Sequence, residues 1–174
     1  MKYFLLSAVN TSAPIVTDWF NKVTPKESLN HTLNGLNNWT LLQFKGVPEM
    51  LDMDIFTLPT FMVSETIEKV IAMYEPYIKW RRVVLFHKES QAHRIYAIPM
   101  LEELECSYKR SEALNKRNYK VSISRDMIKN RVIFRIAGAD SALIAARLDL
   151  VESILRRPVR GIELEEITME NEVI

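Results

Sequence analysis

Glycine is scarce in this 174-residue chain, with four copies, and cysteine occurs once. So few glycines argue against Gly-rich phosphate-cradling loops, whose backbone must approach the ligand closely. A single thiol, Cys106, cannot close an internal disulfide, which suits a reducing compartment and a cytoplasmic setting. No apolar run approaches the eighteen or so residues of a membrane span. The opening MKYFLLSAVNTSA imitates a secretory leader, yet its apolar run, Tyr3–Val9, is short, and it reads better as a first strand. Charge of one sign is also lacking. The formal net charge is +1, so the whole molecule is neither a polyanion mimic nor an obvious nucleic-acid binder. Sequons at Asn10, Asn30 and Asn38 would matter only in a glycosylating pathway.

What is present is 48% hydrophobic and 26% charged, enough for one domain with a real core. The pattern predicts an irregular N-terminal lobe over 1–57 and a main body over 58–174. Strands are expected at Lys2–Val9 and Trp39–Phe44, with a polar, Asn-rich loop at Thr24–Asn38; Pro14–Val23 fits either helix or strand. Ile67, Val70, Ile71, Tyr74 and Ile78 form a helical stripe opened by Ser64 at the N-cap and stopped near Glu75 by Pro76. RRVVLFHK and HRIYAIPM predict a hairpin, Arg82–His87 with His93–Ile98, ended by Pro99.

Residues 101–118 read as a charged surface linker. Tyr119–Ser124 and Arg131–Gly138 are expected strands. A helix over Asp149–Arg156 buries Val151, Ile154 and Leu155, and Arg160–Ile167 is the last strand. Periodicity leaves Ala142–Ala146 open between strand and helix. FMVSETIEKVI and LIAARLDLVESIL echo each other, each an apolar run leading into a short helix. The order predicts an α+β fold, a mostly antiparallel sheet with two main helices packed on it, rather than a doubly wound nucleotide fold.

Candidate chemistry is thin. Two of the three histidines, His87 and His93, flank the hairpin turn, but neither has a cysteine pair or helical i+4 partner to complete a metal site, and no metal or cofactor is expected. Ser64 begins a helix after an apolar run, as a nucleophile elbow would, without the glycines that so sharp a turn needs. A capping role, its oxygen accepting a first-turn N–H, accounts for it better. Cys106 follows Glu102, Glu103 and Glu105, which favour its neutral thiol, and precedes Lys109 and Arg110. No catalytic residue is expected; a small hydrolase using Cys106 or Ser64 is the minor alternative.

Charge is unevenly spread. Nine Lys and Arg lie between Lys109 and Arg135, Lys116 and Arg117 among them, against Glu112 and Asp126. Beyond Gly161 there are five glutamates and no basic residue. If the last strand runs beside the basic ones, the two neutralise each other. If not, the 109–135 segment could bind nucleic acid, although no aromatic-interleaved motif supports that.

The runs DIFTLPTFMVSETIEKVI, RRVVLFHKESQAHRIYAIPML and RVIFRIAGADSALIAARLDLVESILRRPVRGIELEEI carry a resemblance over roughly 54–168. They resemble the bacterial polymorphic-toxin immunity proteins, an α+β family formerly of unknown function. The resemblance implies a non-catalytic protein whose partner is a cognate toxin domain, with no membrane or cofactor. Partner-binding positions are expected on loops and their margins. Trp39, beside the Asn-rich segment, and Glu102, Glu103, Glu105, Lys109 and Arg110 in the linker are the candidates.

Overall fold

A computed structural model describes residues 1–9, 39–58, 60–105, 107–110, 119–124, 128, 130–137 and 143–170. Pro14–Val23, Thr24–Asn38, Cys106, Lys116 and Arg117 lie outside the described residues. The fold is α+β. In chain order the elements are β1 (Tyr3–Ala8), β2 (Trp39–Phe44), a 3₁₀ turn (Pro48–Asp52), β3 (Ile55–Phe56), β4 (Met62–Val63), α1 (Glu65–Tyr74), β5 (Trp80–His87) and β6 (His93–Pro99). Then follow β7 (Glu103–Leu104), β8 (Ser107–Arg110), β9 (Tyr119–Ser124), β10 (Ile133–Ile136), β11 (Ile144–Arg147), α2 (Leu148–Leu155), β12 (Ile162–Glu166) and β13 (Thr168–Glu170). No helix among the described residues is long and apolar enough to cross a membrane.

Two five-stranded sheets, ordered β12-β1-β11-β10-β7 and β2-β5-β6-β4-β3, carry the helices; a third is β13-β9-β8. Most pairings are antiparallel, the exceptions being β7 with β10, β9 with β13 and β2 with β5. The echo between the two helix-leading runs corresponds to a repeated arrangement. In one sheet the hairpin β3–β4, helix α1 and strand β5 are laid out so that β6 sits between β4 and β5. In the other, β10–β11, α2 and β12 are laid out in the same way, and the strand between β11 and β12 is β1.

Period-2 alternation sends neighbouring side chains to opposite faces and sorts the core. Leu6 and Ala8 of β1 join Ala146, Val63, Ala97 and the buried stripes of both helices in a central layer. Tyr3 and Leu5 face the other way, to Phe134, Ile136, Ile123 and Ile167. The far face of the second sheet, with Leu42, Phe44, Leu85 and Tyr96, is closed by Leu51 of the 3₁₀ turn.

Helix α1 buries Ile67, Val70 and Ile71 as its spacing predicts and stops before Pro76. In α2 the buried set is Leu150, Val151 and Ile154, while Leu155 is 52% exposed. The helix begins at Leu148, and its sheet-facing stripe is the i, i+1, i+4 set starting at Leu150 rather than one ending at Leu155. The undecided stretch near Ala142–Ala146 is a strand from Ile144, whose partners are β1 and β10. The expected linker 101–118 also contains structure. Leu101 is buried, Glu103–Leu104 pairs in parallel with β10, and Ser107–Arg110 pairs with β9. Its charges hid this, because each strand is only two to four residues long and lies at a sheet edge, where polar side chains are at home.

Asp54 ties the layers together. It is 5% exposed. Its Oδ1 accepts from Arg94 Nη2 at 2.8 Å and its Oδ2 from the Arg160 backbone N–H at 2.7 Å. Its own N–H donates to the Arg160 carbonyl, and its carbonyl accepts from Ser64 N–H. One residue thus joins the margin of β3, the start of α1, strand β6 and the segment leading into β12.

Candidate functional site

Among the described residues, the most exposed large apolar side chains on a sheet lie around Trp39. Strand β2 is the edge of its sheet in the described pairings, and its odd-numbered residues point to the face on which α1 sits. Register aligns Leu41 with Val84 and Val84 with Ile95. It likewise aligns Gln43 with Phe86 and Phe86 with His93, and Trp39 with Arg82. Helix α1 covers only the far part of this face, where Glu68 meets Arg82 in an ion pair and Ala97 is buried. Beyond it Trp39 is 57% exposed, Leu41 59% and Ile95 44%, with Val84 and Phe86 half-buried between them. A row of large apolar side chains left open to water costs free energy that burial against another surface would recover, about 25 cal/mol per Å².

The same face ends at a groove. Gln43, which belongs to the apolar face, also lines a cavity of about 700 Å³ between the loop after β2 and the β5–β6 turn. Phe44, Lys45, Gly46, His87, Lys88 and Ser90 line it too. Gly46 is required here, since a Cβ would sit 2.4 Å from the Phe44 ring. His87 is 8% exposed, set edge-on to Phe44. His93, its sequence neighbour across the turn, is exposed on the opposite face, so the two imidazoles do not converge. No group of three or more metal-ligating side chains exists among the described residues.

The other expected partner positions fall on two further sheet edges. Glu102 is exposed and paired with Arg131. Glu103, half-buried on β7, stands 4.0 Å from Arg135 Nε, and Glu105 is exposed. Lys109 and Arg110 lie on β8, in register with Lys120 and Tyr119 of β9. Trp39, the glutamates and the two basic residues therefore occupy the margins of three different sheets rather than one element. The expected last strand, β12, runs beside β1 rather than the basic segment, and its Glu166 pairs with Lys2; only the short β13 beyond it runs beside β9, with Glu170 in register with Ser124.

Ser64 occupies the N-cap position of α1, but its side chain makes no capping bond and its buried hydroxyl has no hydrogen-bond partner. The capping expectation fails because the backbone fixes the helix start: Ser64 N–H donates to Asp54 and its carbonyl accepts from Glu68. No base touches that hydroxyl.

Arg135, the last of the nine basic residues in the 109–135 segment, is 1% exposed. Its Nε and Nη1 lack hydrogen-bond partners. Burial lowers its pKa, and the charge of Glu103 raises it only in part. It lies on the same strand face as Ile133, opposite the Val132, Phe134 and Ile136 face that alternation in RVIFRI picks out, so the pattern gives no sign of its burial.

No family model, no curated protein and no solved structure matches the chain.

Proposed function

We propose that this protein acts by binding another protein, as an immunity protein that occludes a cognate toxin domain without chemistry of its own. The observation that carries the reading is the exposed apolar face of Trp39, Leu41 and Ile95, backed by Val84 and Phe86. An exposed tryptophan on a partly apolar surface is the residue type that most often dominates association energy. The half-buried neighbours hold it on a sheet, so little side-chain ordering remains to oppose binding. The resemblance over 54–168 supports the toxin as partner, and Val84, Phe86 and Ile95 fall inside that span. An occluding inhibitor needs roughly 800 Å² of complementary surface on each partner. This face would supply the centre of such a surface, and its rim would come from Arg82, Gln43 and His93.

The test is to read whether a neighbouring gene encodes a large protein with a C-terminal toxin domain, and to co-express that domain with this protein. Wild-type protein should restore growth and co-purify with the toxin. Trp39→Ala, at an exposed position, should fold normally and weaken the complex by about thirtyfold or more. Failure of the wild type to protect would end the immunity reading. Protection unchanged by Trp39→Ala combined with Ile95→Ala would keep the partner and reject this surface.

A further inference from the structure

The groove beside the apolar face contains a feature that docking does not use. His87 Nδ1 lies 3.2 Å from the Ser90 backbone N–H and 2.8 Å from Ser90 Oγ. A backbone N–H can only donate, so Nδ1 must carry the lone pair. Ser90 Oγ in turn accepts from Ala92 N–H at 3.3 Å and can donate its own proton to the ring. Two donors on one nitrogen fix the neutral tautomer with its proton on Nε2. That Nε2–H has no acceptor among the described residues; His87 as a whole is 8% exposed, and its Nε2 is not among the buried atoms without a partner. Exposed Lys45 and Lys88 stand on the same groove, against the single carboxylate of Glu89.

We propose that this groove is an oxyanion seat, in which the His87 Nε2–H, flanked by the Lys45 and Lys88 ammonium groups, receives an oxygen of a carboxylate or phosphate. The turn makes the donor permanent. His87 N–H donates to Ala92 O at 2.8 Å, and Gln91, at φ +57°, donates its side-chain amide to Lys88 O at 2.7 Å. The imidazole is therefore held by its own hairpin and needs no ligand to order it. Phe44 on one side supplies an apolar wall, which strengthens a hydrogen bond made beside it. Two cations at the mouth add attraction that water screens only in part. The inference does not depend on the toxin reading, since a free small anion tests it.

The experiment is NMR titration of the full chain with sodium phosphate and, separately, sodium acetate, at constant ionic strength. Long-range ¹H–¹⁵N spectra report the His87 tautomer directly. The expected result is an Nε2–H ring before addition, followed by saturable shifts of the His87 ring and Gly46 amide with a dissociation constant of about 10 mM or tighter. Phosphate acting alone would make the seat a phosphate site, and acetate acting alone a carboxylate site. Lys45→Ala combined with Lys88→Ala changes only exposed side chains and should weaken binding about tenfold. Ser90→Ala removes the hydroxyl but keeps the backbone N–H on Nδ1, so the ring should remain the Nε2–H tautomer. A ring protonated on Nδ1 in the free protein would overturn the proposal. So would the absence of saturable shifts with both anions, or identical shifts in the double-lysine variant.

Discussion

Replacing Asp54 by alanine should cost more than any change of equal size on the surface. The carboxylate is 5% exposed and accepts two hydrogen bonds. The first comes from Arg94, which keeps its Nη1 bonds to the Leu51 and Met53 carbonyls, at 2.7 and 3.2 Å. Arg94 is therefore weakened, not orphaned, and the lost charge-assisted bond is worth about 1.5–3 kcal/mol. The second comes from the Arg160 backbone N–H, which would be left unpaired at about 1–3 kcal/mol. The carboxylate's own desolvation, recovered on removal, offsets part of both. The net expectation is a loss of about 3 kcal/mol. For a chain of this size that lowers Tm by roughly 9 °C. Asp54→Asn preserves the shape and can accept one of the two bonds, so about half that loss is expected. Urea unfolding followed by far-UV circular dichroism should show the midpoint falling with an unchanged slope. Combining Asp54→Ala with Arg94→Met should reveal a coupling of about 1 kcal/mol or more. A loss below about 1 kcal/mol in Asp54→Ala, or an equal loss in Asp54→Asn, would refute the claim that these two bonds hold the layers together.

Arg135→Met should be neutral or stabilising by about 1–2 kcal/mol, because it exchanges a buried guanidinium with two unpaired nitrogens for an apolar chain; a clear loss in chemical denaturation would show that Glu103 compensates the charge. Gly161 has φ +79° and a Cβ there would meet Met53 Cγ at 3.1 Å, so Gly161→Ala should cost about 1–2 kcal/mol in thermal unfolding. Burial raises the pKa of both Tyr96 and Tyr3 above the ordinary 10.0. Above that pH the unfolded chain releases protons that the folded one keeps, so stability should be full below about pH 10 and fall as pH rises beyond it. Tyr96→Phe should flatten that fall while losing about 1–2 kcal/mol at neutral pH from the one hydrogen bond its hydroxyl donates, shared between the Leu51 and Met53 carbonyls.

The sequence discloses those features that one element can express alone. The stripe Ile67, Val70, Ile71 and the Pro76 stop delimit α1 without reference to anything else, and WTLLQF gives β2 to the residue. The α+β class follows from the order of such elements. What fails is whatever a distant partner decides. Leu155 is apolar and helical yet exposed, because the sheet, not the helix, chooses which stripe is buried. Ser64 looks like a cap, but a carbonyl ten residues back has already fixed the turn. Asp54 and Arg135 are single charges whose partners or lack of partners arise only from strand register. The candidate surface was half legible. Trp39 drew notice as an aromatic beside a polar segment. Ile95 and Leu41 are not marked in the same way, since an apolar residue in a strand is ordinarily taken as core, while here they are 44% and 59% exposed.

The position of β1 bears on how fast the protein reaches this state. It lies between β11 and β12, and the Ser7 hydroxyl contacts the Glu163 carbonyl across 156 positions of chain. Contacts so remote in sequence must wait for a large loop to close, which slows folding. The equivalent strand of the other sheet, β6, follows its neighbour β5 through a tight hairpin and needs no such wait. Yet the end of β12 already lies against the start of β1, with Glu166 in register with Phe4 and Ile167 N–H bonded to Tyr3 O at 2.9 Å. A chain reordered so that Tyr3–Ala8 followed Glu166 through a short turn would make both halves local. Stopped-flow refolding of such a permutant should be faster than that of the natural order, with the β1 pairings to β11 and β12 unchanged at the end.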